Sequence, residues 1–276
     1  MHPGGSTDHP AGARRATAAP RLLRTALSPP PPAARQVRRH PLRPHFPWHP
    51  PRSVNTAPPS TRRAQCPDCL RPASACICAC VQTVAHATQV LLLQHPLEVQ
   101  HPKGTARLLH LCLPHSRMEQ GECWPADRLQ ALLQDAWPSV GDRQAEPAPA
   151  LTLLLYPPSP PDPALPLLEP PPWDMADLTA LPEGAVLRLV VLDGTWRKSR
   201  KMLYRNPALQ QLPRLPLREL PASRYAIRKA HKPGQLSTLE ASCAALRQLE
   251  PANSTLDGLL QAMAAIQDHY RAQLTP

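Results

Sequence analysis

The hydrophobic pattern divides the chain into alternating strand and helix signals. Gln89 to Gln94 carries the run Val90-Leu91-Leu92-Leu93, Leu151 to Tyr156 a second run, and Val186 to Leu192 a third. Apolar runs this short and continuous predict strands buried on both faces. Between them the spacing becomes helical. Leu108, Leu109 and Leu111 fall within Lys103 to Leu113, and Leu129, Leu132 and Leu133 within Asp127 to Trp137. Both segments predict amphipathic helices. Met175 to Leu181 carries a weaker helical signal. Thr195 opens a further helix, and Thr238 to Leu249 and Thr255 to Tyr270 predict the last two. Strands alternating with helices predict an α/β fold: a mainly parallel sheet with helices on both faces.

Prolines punctuate the rest. Gly141 to Ala150 reads as a polar loop, Ser159 to Trp173 as a Pro-dense insertion, and the chain turns irregular after Tyr204 at Pro207, Pro213 and Pro216. Of 276 residues, 40 are Pro, and the formal charge is +11. Residues 1–65 hold eleven Arg and one acid, Asp8, so almost all of that charge sits there. Residues 1–62 bury too little apolar surface to offset the entropy of ordering and read as a disordered Pro/Arg-rich tail. Three origins are open for it: a solvated tail with weak RNA attraction, sequence upstream of the true start, and a transit peptide, against which its prolines argue. The absence of a secretory h-region or a membrane-length apolar run predicts a cytoplasmic chain with no membrane partner.

Residues 63–82 read as a separate cysteine cluster before the main domain, 83–276. Cys66-x2-Cys69, six residues, then Cys76-x-Cys78 places four thiols within thirteen positions. That is enough to close a tetrahedral Zn²⁺ shell. Disulfides are the competing reading, but a reducing compartment favours metal. Cys80 competes with Cys78 as fourth ligand. Cys112, Cys123 and Cys243 read as small core residues. Four sulfur ligands leave no open position, so the metal's role is structural.

The order Cys-x2-Cys-x6-Cys-x-Cys, Gln94-His95-Pro96-x-Glu98, Thr105-Ala106-Arg107, Leu155-Tyr156-Pro157, Asp193-Gly194-Thr195-Trp196 and Ser237-Thr238-Leu239-Glu240-Ala241 resembles the DTW-domain family. The resemblance spans about Cys66 to Leu249. The family includes tRNA-uridine aminocarboxypropyltransferases and is related to SPOUT-type knotted methyltransferases. It implies a SPOUT-like knot in the C-terminal half, S-adenosylmethionine as group donor, and transfer of its 3-amino-3-carboxypropyl group to N3 of a tRNA uridine.

The residues suit such chemistry, each with a plainer alternative. Uridine N3 must lose its proton to attack, and a carboxylate at a strand's carboxyl end is a sensible base. Asp193 is the first choice and Glu98 the second; Asp193 as a helix cap is the alternative. Thr195 suits the donor's carboxylate or a cap, and Trp196 suits stacking on a base or packing in the core. His95, Tyr156 and Pro157 lie at strand exits, where ligands collect. Ser237, Thr238 and Glu240 begin a helix and suit either the donor's polar groups or a capping box. Arg107 suits a phosphate or carboxylate.

From Arg188 to Lys232 there are twelve Lys/Arg against two acids. Arg197, Lys198, Arg200, Lys201, Arg224, Arg228, Lys229 and Lys232 are the candidates for tRNA phosphates. Two other functions stand beside the transferase: a SPOUT-like RNA methyltransferase, distinguished by its byproduct, and a non-catalytic zinc-containing RNA-binding module. The module reading does not account for polar residues at three strand exits.

Overall fold

β1 (Gln89–Gln94) lies inside the sheet, buried on both faces as its uninterrupted apolar run predicts. It pairs with β2 (Ser116–Gln120) on one side and β4 (Leu187–Asp193) on the other. β3 (Leu151–Leu155) and β5 (Arg214–Leu215) complete a sheet of order β2-β1-β4-β3-β5. Every pairing is parallel, so each connection must cross a face of the sheet. The structure is a computed structural model. It describes residues 64–138, 144, 146–218, 222–227 and 235–274; the tail 1–62 and the candidates Arg228, Lys229 and Lys232 lie outside the described residues.

Alternation along the central strands builds two cores. Val90 and Leu92 point to one face, where α1 (Ala106–Cys112), α5 (Thr238–Leu249) and α6 (Asp257–Leu274) cover them. Leu91 and Leu93 point to the other, covered by α2 (Ala126–Gln134), α3 (Trp196–Arg205) and α4 (Pro207–Gln210). All four side chains are fully buried, each contributing about 1.5–3 kcal/mol. The α/β fold with helices on both faces is thus present.

Arg188 is the exception inside β4. It is fully buried, and its guanidinium donates to Gln89 Oε1 (3.0 and 2.6 Å) and to the carbonyls of Leu132 (2.8 Å) and Asp135 (2.9 Å). The Trp137 ring lies 4.2 Å beneath it, and burial lowers its pKa to about 10.

The cysteine segment is stitched by a bridge between Gln65 and Pro72 and two 3-10 turns, Ala73–Ala75 and Cys78–Cys80. Cys69, Ile77, Cys80 and Val84 join the same apolar cluster as α1, α5 and α6. No helix among the described residues is long and apolar enough to cross a membrane.

β1 continues through α1 toward β2, whereas β4 continues through α3 toward β5 on the other side. The connections diverge, so the carboxyl ends of β1 and β4 flank a switch-point crevice, where ligands bind in open α/β sheets. Gln94 and Asp193 are register partners there.

Candidate active site

A cleft of about 540 Å³ opens at the carboxyl ends of β3, β4 and β5. Leu155, Val191, Leu192, Leu215 and Leu217 supply apolar walls; Thr195, Ser237 and Thr238 supply hydroxyls, and Arg197 lines it too. Its volume and mixed lining suit a ligand the size of a nucleoside carrying an amino-acid arm.

The β4–α3 junction shapes one wall. Thr195 caps α3, its side chain accepting from Lys198 N. Gly194 fits a close approach: a Cβ there would lie a tight 3.1 Å from Lys198 Cβ and 3.3 Å from Ser199 Oγ. Trp196 is 53% exposed, so it is not a core residue. It lines the cleft and meets the buried Tyr156 edge-on, centroids 6.2 Å apart. Burial raises the Tyr156 pKa, keeping its hydroxyl protonated. Pro157 continues the wall.

Asp193 is buried just behind the lining, 5% exposed. Gln94 Nε2 donates to its Oδ2 (2.8 Å) and Thr238 Oγ1 to its Oδ1 (2.7 Å). The carboxylate thus ties β1, β4 and the start of α5 together. Glu98 follows in the 3-10 turn Pro96–Glu98 and pairs with Lys198 Nζ at 2.7 Å.

Of the residues expected to hold the donor, His95 and Glu240 lie outside the cleft lining, held by structural bonds. His95 is buried; its Nδ1 accepts from Leu97 N (3.1 Å) and its Nε2 lies 3.5 Å from Glu122. Glu240 closes a capping box with Ser237. It also accepts from Ser223 Oγ (3.1 and 3.0 Å) and Arg224 N (2.6 Å), pinning residues 223–224 to α5.

The basic helix is more compensated than its local sequence suggests. Lys201 pairs with Glu122 at 2.8 Å and Arg200 with Asp162 at 3.6 Å. Arg200 also donates to the carbonyls of Leu165 and Pro160 in the Pro-dense insertion (both 3.1 Å). Arg107 donates to the Asp68 carbonyl at 2.9 Å. Arg197 and Arg224 are exposed, and their guanidinium groups have no carboxylate partner among the described residues.

Glu122 is the residue that sequence reasoning passed over. It gathers His95, Lys201 and Arg205, the last at 3.1 Å. Hydrogen bonds from Lys201 and Arg205 lower its pKa to about 2. Its partners on α3 lie about eighty positions downstream in the chain, so no local pattern marks it.

At the far edge of the cysteine segment, Cys66, Cys69, Cys76 and Cys78 place their sulfurs within 4.8 Å of one another. Cys66 and Cys78 are 3.5 Å apart, Cys69 and Cys76 3.7 Å, near the ~3.8 Å that a tetrahedral Zn–S₄ shell requires. Backbone amides of Cys69 and Asp68 lower the Cys66 thiol to about 7, while burial raises the neighbouring Cys78 thiol. Cys80 is buried in the core rather than in this group. Cys112 and Cys243 are buried as expected; Cys123 is instead exposed, in the loop after β2.

Comparison with known proteins bears on what these residues serve. The chain is 33% identical over 199 residues to tRNA-uridine aminocarboxypropyltransferase 2 of Drosophila melanogaster, covering 71% of this chain and 70% of that protein. It is 29% identical over 225 residues to the Macaca fascicularis protein of the same name (78% and 67%). With tRNA-uridine aminocarboxypropyltransferase A of Arabidopsis thaliana it shares 27% over 242 residues (78% and 85%). No solved structure matches it significantly. The DTW domain model aligns with residues 63–271, from the first cysteines through α5 and most of α6. That span contains every motif assembled around the β1–β4 crevice, and the chain belongs to the DTW-domain family.

Proposed function

We propose that this protein is a tRNA-uridine aminocarboxypropyltransferase, moving the 3-amino-3-carboxypropyl group from S-adenosylmethionine to N3 of a tRNA uridine and releasing methylthioadenosine. One observation carries the reading: the Gly194-Thr195-Trp196 and Ser237-Thr238 blocks, distant in sequence, wall a single cleft at the carboxyl ends of β3, β4 and β5 with Asp193 just behind it, in a chain whose relatives bear that name. A SPOUT-like knot in the C-terminal half belongs to the same reading.

When bound, the donor supplies a carbon activated by its sulfonium sulfur. The apolar walls hold the nucleoside and keep water from the reacting centre. Thr195 and Ser237 offer hydroxyls to the amino-acid arm, and Tyr156 and Trp196 offer aromatic faces to a base. Asp193 and Glu98 flank the crevice, and Asp193, fixed by Gln94 and Thr238, is assigned removal of the N3 proton. Arg197 and Arg224 lead the contacts to tRNA phosphates, joined by Lys198, Arg200, Lys201, Arg228, Lys229 and Lys232. A zinc ion on the four cysteines supplies a closed structural node and enters no step.

Nucleoside mass spectrometry of tRNA from cells with and without the gene tests this. A uridine derivative heavier by the aminocarboxypropyl group should vanish on deletion, and purified protein should release methylthioadenosine. Release of S-adenosylhomocysteine would make the protein a methyltransferase instead.

A further inference from the structure

The outer face of α3 gathers aromatic rings that the fold does not need. Among the described residues, Trp and Tyr are buried or half-buried except at Trp196 (53% exposed) and Tyr204 (43%), and both lie on this helix. Its other exposed residues are Arg197, Lys201 and Arg205, and none of its residues is acidic. Spaced i, i+4 and i+7, Arg197, Lys201 and Tyr204 form one ridge on the solvent side. Ser199, Met202 and Leu203 are the residues turned inward.

Tyr204 is not tied to the fold through its ring. The ring meets no other aromatic or cation, and its hydroxyl makes no hydrogen bond, among the described residues. Gln210 fixes what stands beside it: its side chain accepts from Leu168 N (2.8 Å) and donates to the Tyr204 carbonyl (3.3 Å). Leu168 of the Pro-dense insertion, 61% exposed, is thereby held near the same end of the helix. The charge on this face is only partly balanced. Lys201 (2.8 Å) and Arg205 (3.1 Å) share one oxygen of Glu122, and the Arg197 guanidinium meets no carboxylate among the described residues.

Exposed rings interleaved with cations are what a single strand of nucleic acid uses, since a base lies on the ring while its phosphates meet the cations. A duplex keeps its base faces inside its own stack, so a ring of this kind offers it nothing. Trp196 opens α3 and lines the donor cleft. Tyr204, eight residues on, stands about 12 Å farther along the axis. That is the rise of three to four stacked nucleotides at about 3.4 Å each.

We propose that the exposed face of α3 is a track for the single-stranded RNA beside the modified uridine. Tyr204 stacks on a flanking base next to Leu168, and Arg197 and Lys201 face the phosphates. The identity of the strand rests on the tRNA reading above; its single-stranded form, its path and the stacking residue come from α3.

Fluorescence anisotropy of the full chain tests this with labelled oligouridylate of about twelve nucleotides, alone or annealed to oligoadenylate. The single strand is expected to bind more tightly than the duplex. Tyr204→Ala should weaken the single strand at least about fivefold, and Tyr204→Phe, which keeps the ring, should stay within about twofold of wild type. Stacking releases no counterions, so Tyr204→Ala should keep the wild-type salt slope, whereas Arg197→Gln should reduce it by about one. S-adenosylmethionine binding should survive in Tyr204→Ala and reports that the variant is folded. If it is not, 4-thiouridine in the same strand, photocross-linked to the wild-type chain and mapped by mass spectrometry, decides instead: cross-links at Tyr204 support the track, and cross-links confined to other elements overturn it. Unchanged affinity in Tyr204→Ala, equal losses in the Ala and Phe variants, equal affinity for strand and duplex, or no binding of either also overturns it. Such a result beside a gene-dependent aminocarboxypropyl uridine removes the track and leaves the activity. Tyr204-dependent binding with no such nucleoside removes the activity and leaves the track.

Discussion

At the scale of single residues, Asp193 carries two roles that substitution can separate. Its carboxylate receives Gln94 and Thr238 while lying behind the cleft wall. Asn in its place keeps the size but accepts through one oxygen only and removes the negative charge. Asp193→Asn is expected to slow tRNA modification by about 10²-fold or more if it takes the proton. Thr238→Val removes one hydrogen bond and leaves the carboxylate, so its expected loss is about tenfold or less. Single-turnover rates on tRNA check this: equal losses in the two variants would make Asp193 a positioning residue and pass proton removal to Glu98. Trp196 gives a contrasting case. Being half exposed, its replacement by Ala should cost little stability, on the order of 0.5 kcal/mol, while weakening ligand binding measured by calorimetry. A melting midpoint that falls steeply would place it in packing after all.

At the scale of elements, what could be read in the sequence follows burial. β1, β3 and β4 were legible because strands covered on both faces leave continuous apolar runs, and α5 because its capping box and helical spacing agree. β2 was not: at the sheet edge, Ser-Arg-Met-Glu-Gln is largely half-exposed and has no apolar run. β5 has two residues between Pro213 and Pro216, too few for a period, and α4 is a single turn that opens on Pro207. The site divided similarly. The strand-exit motifs converge as their positions suggested, but a charge count in one window could not see Arg188 buried under Trp137, or Lys198 and Lys201 paired with acids far upstream. Glu122, which fastens α3 to the β2 exit, makes that long-range clamp testable. Its pKa of about 2 lies below the ordinary 4.5, so its stabilisation is complete above about pH 4.5 and is lost as pH falls toward 2. Glu122→Gln should lower the melting midpoint by about 1–3 °C at pH 6, since partly exposed pairs contribute little. The gap from the wild type should close between pH 4.5 and 2. A gap that persists at pH 2 would show that the effect comes from packing rather than charge.

At the scale of the whole molecule, the cysteine segment is joined to the main sheet through its interior. Cys69, Ile77, Cys80 and Val84 belong to the cluster formed by α1, α5 and α6, and Tyr270 on α6 is hydrogen-bonded to Arg71. A metal node in such a place supports the core as well as its own loop. Removing zinc with a chelator, or making Cys69→Ser, should therefore lower one cooperative melting transition instead of abolishing a small separate one. A loss of about 3–4 kcal/mol corresponds to roughly 10 °C for a domain of this size. Differential scanning calorimetry with metal content measured in parallel checks it: two resolved transitions, or an unchanged midpoint after zinc is gone, would contradict the coupling.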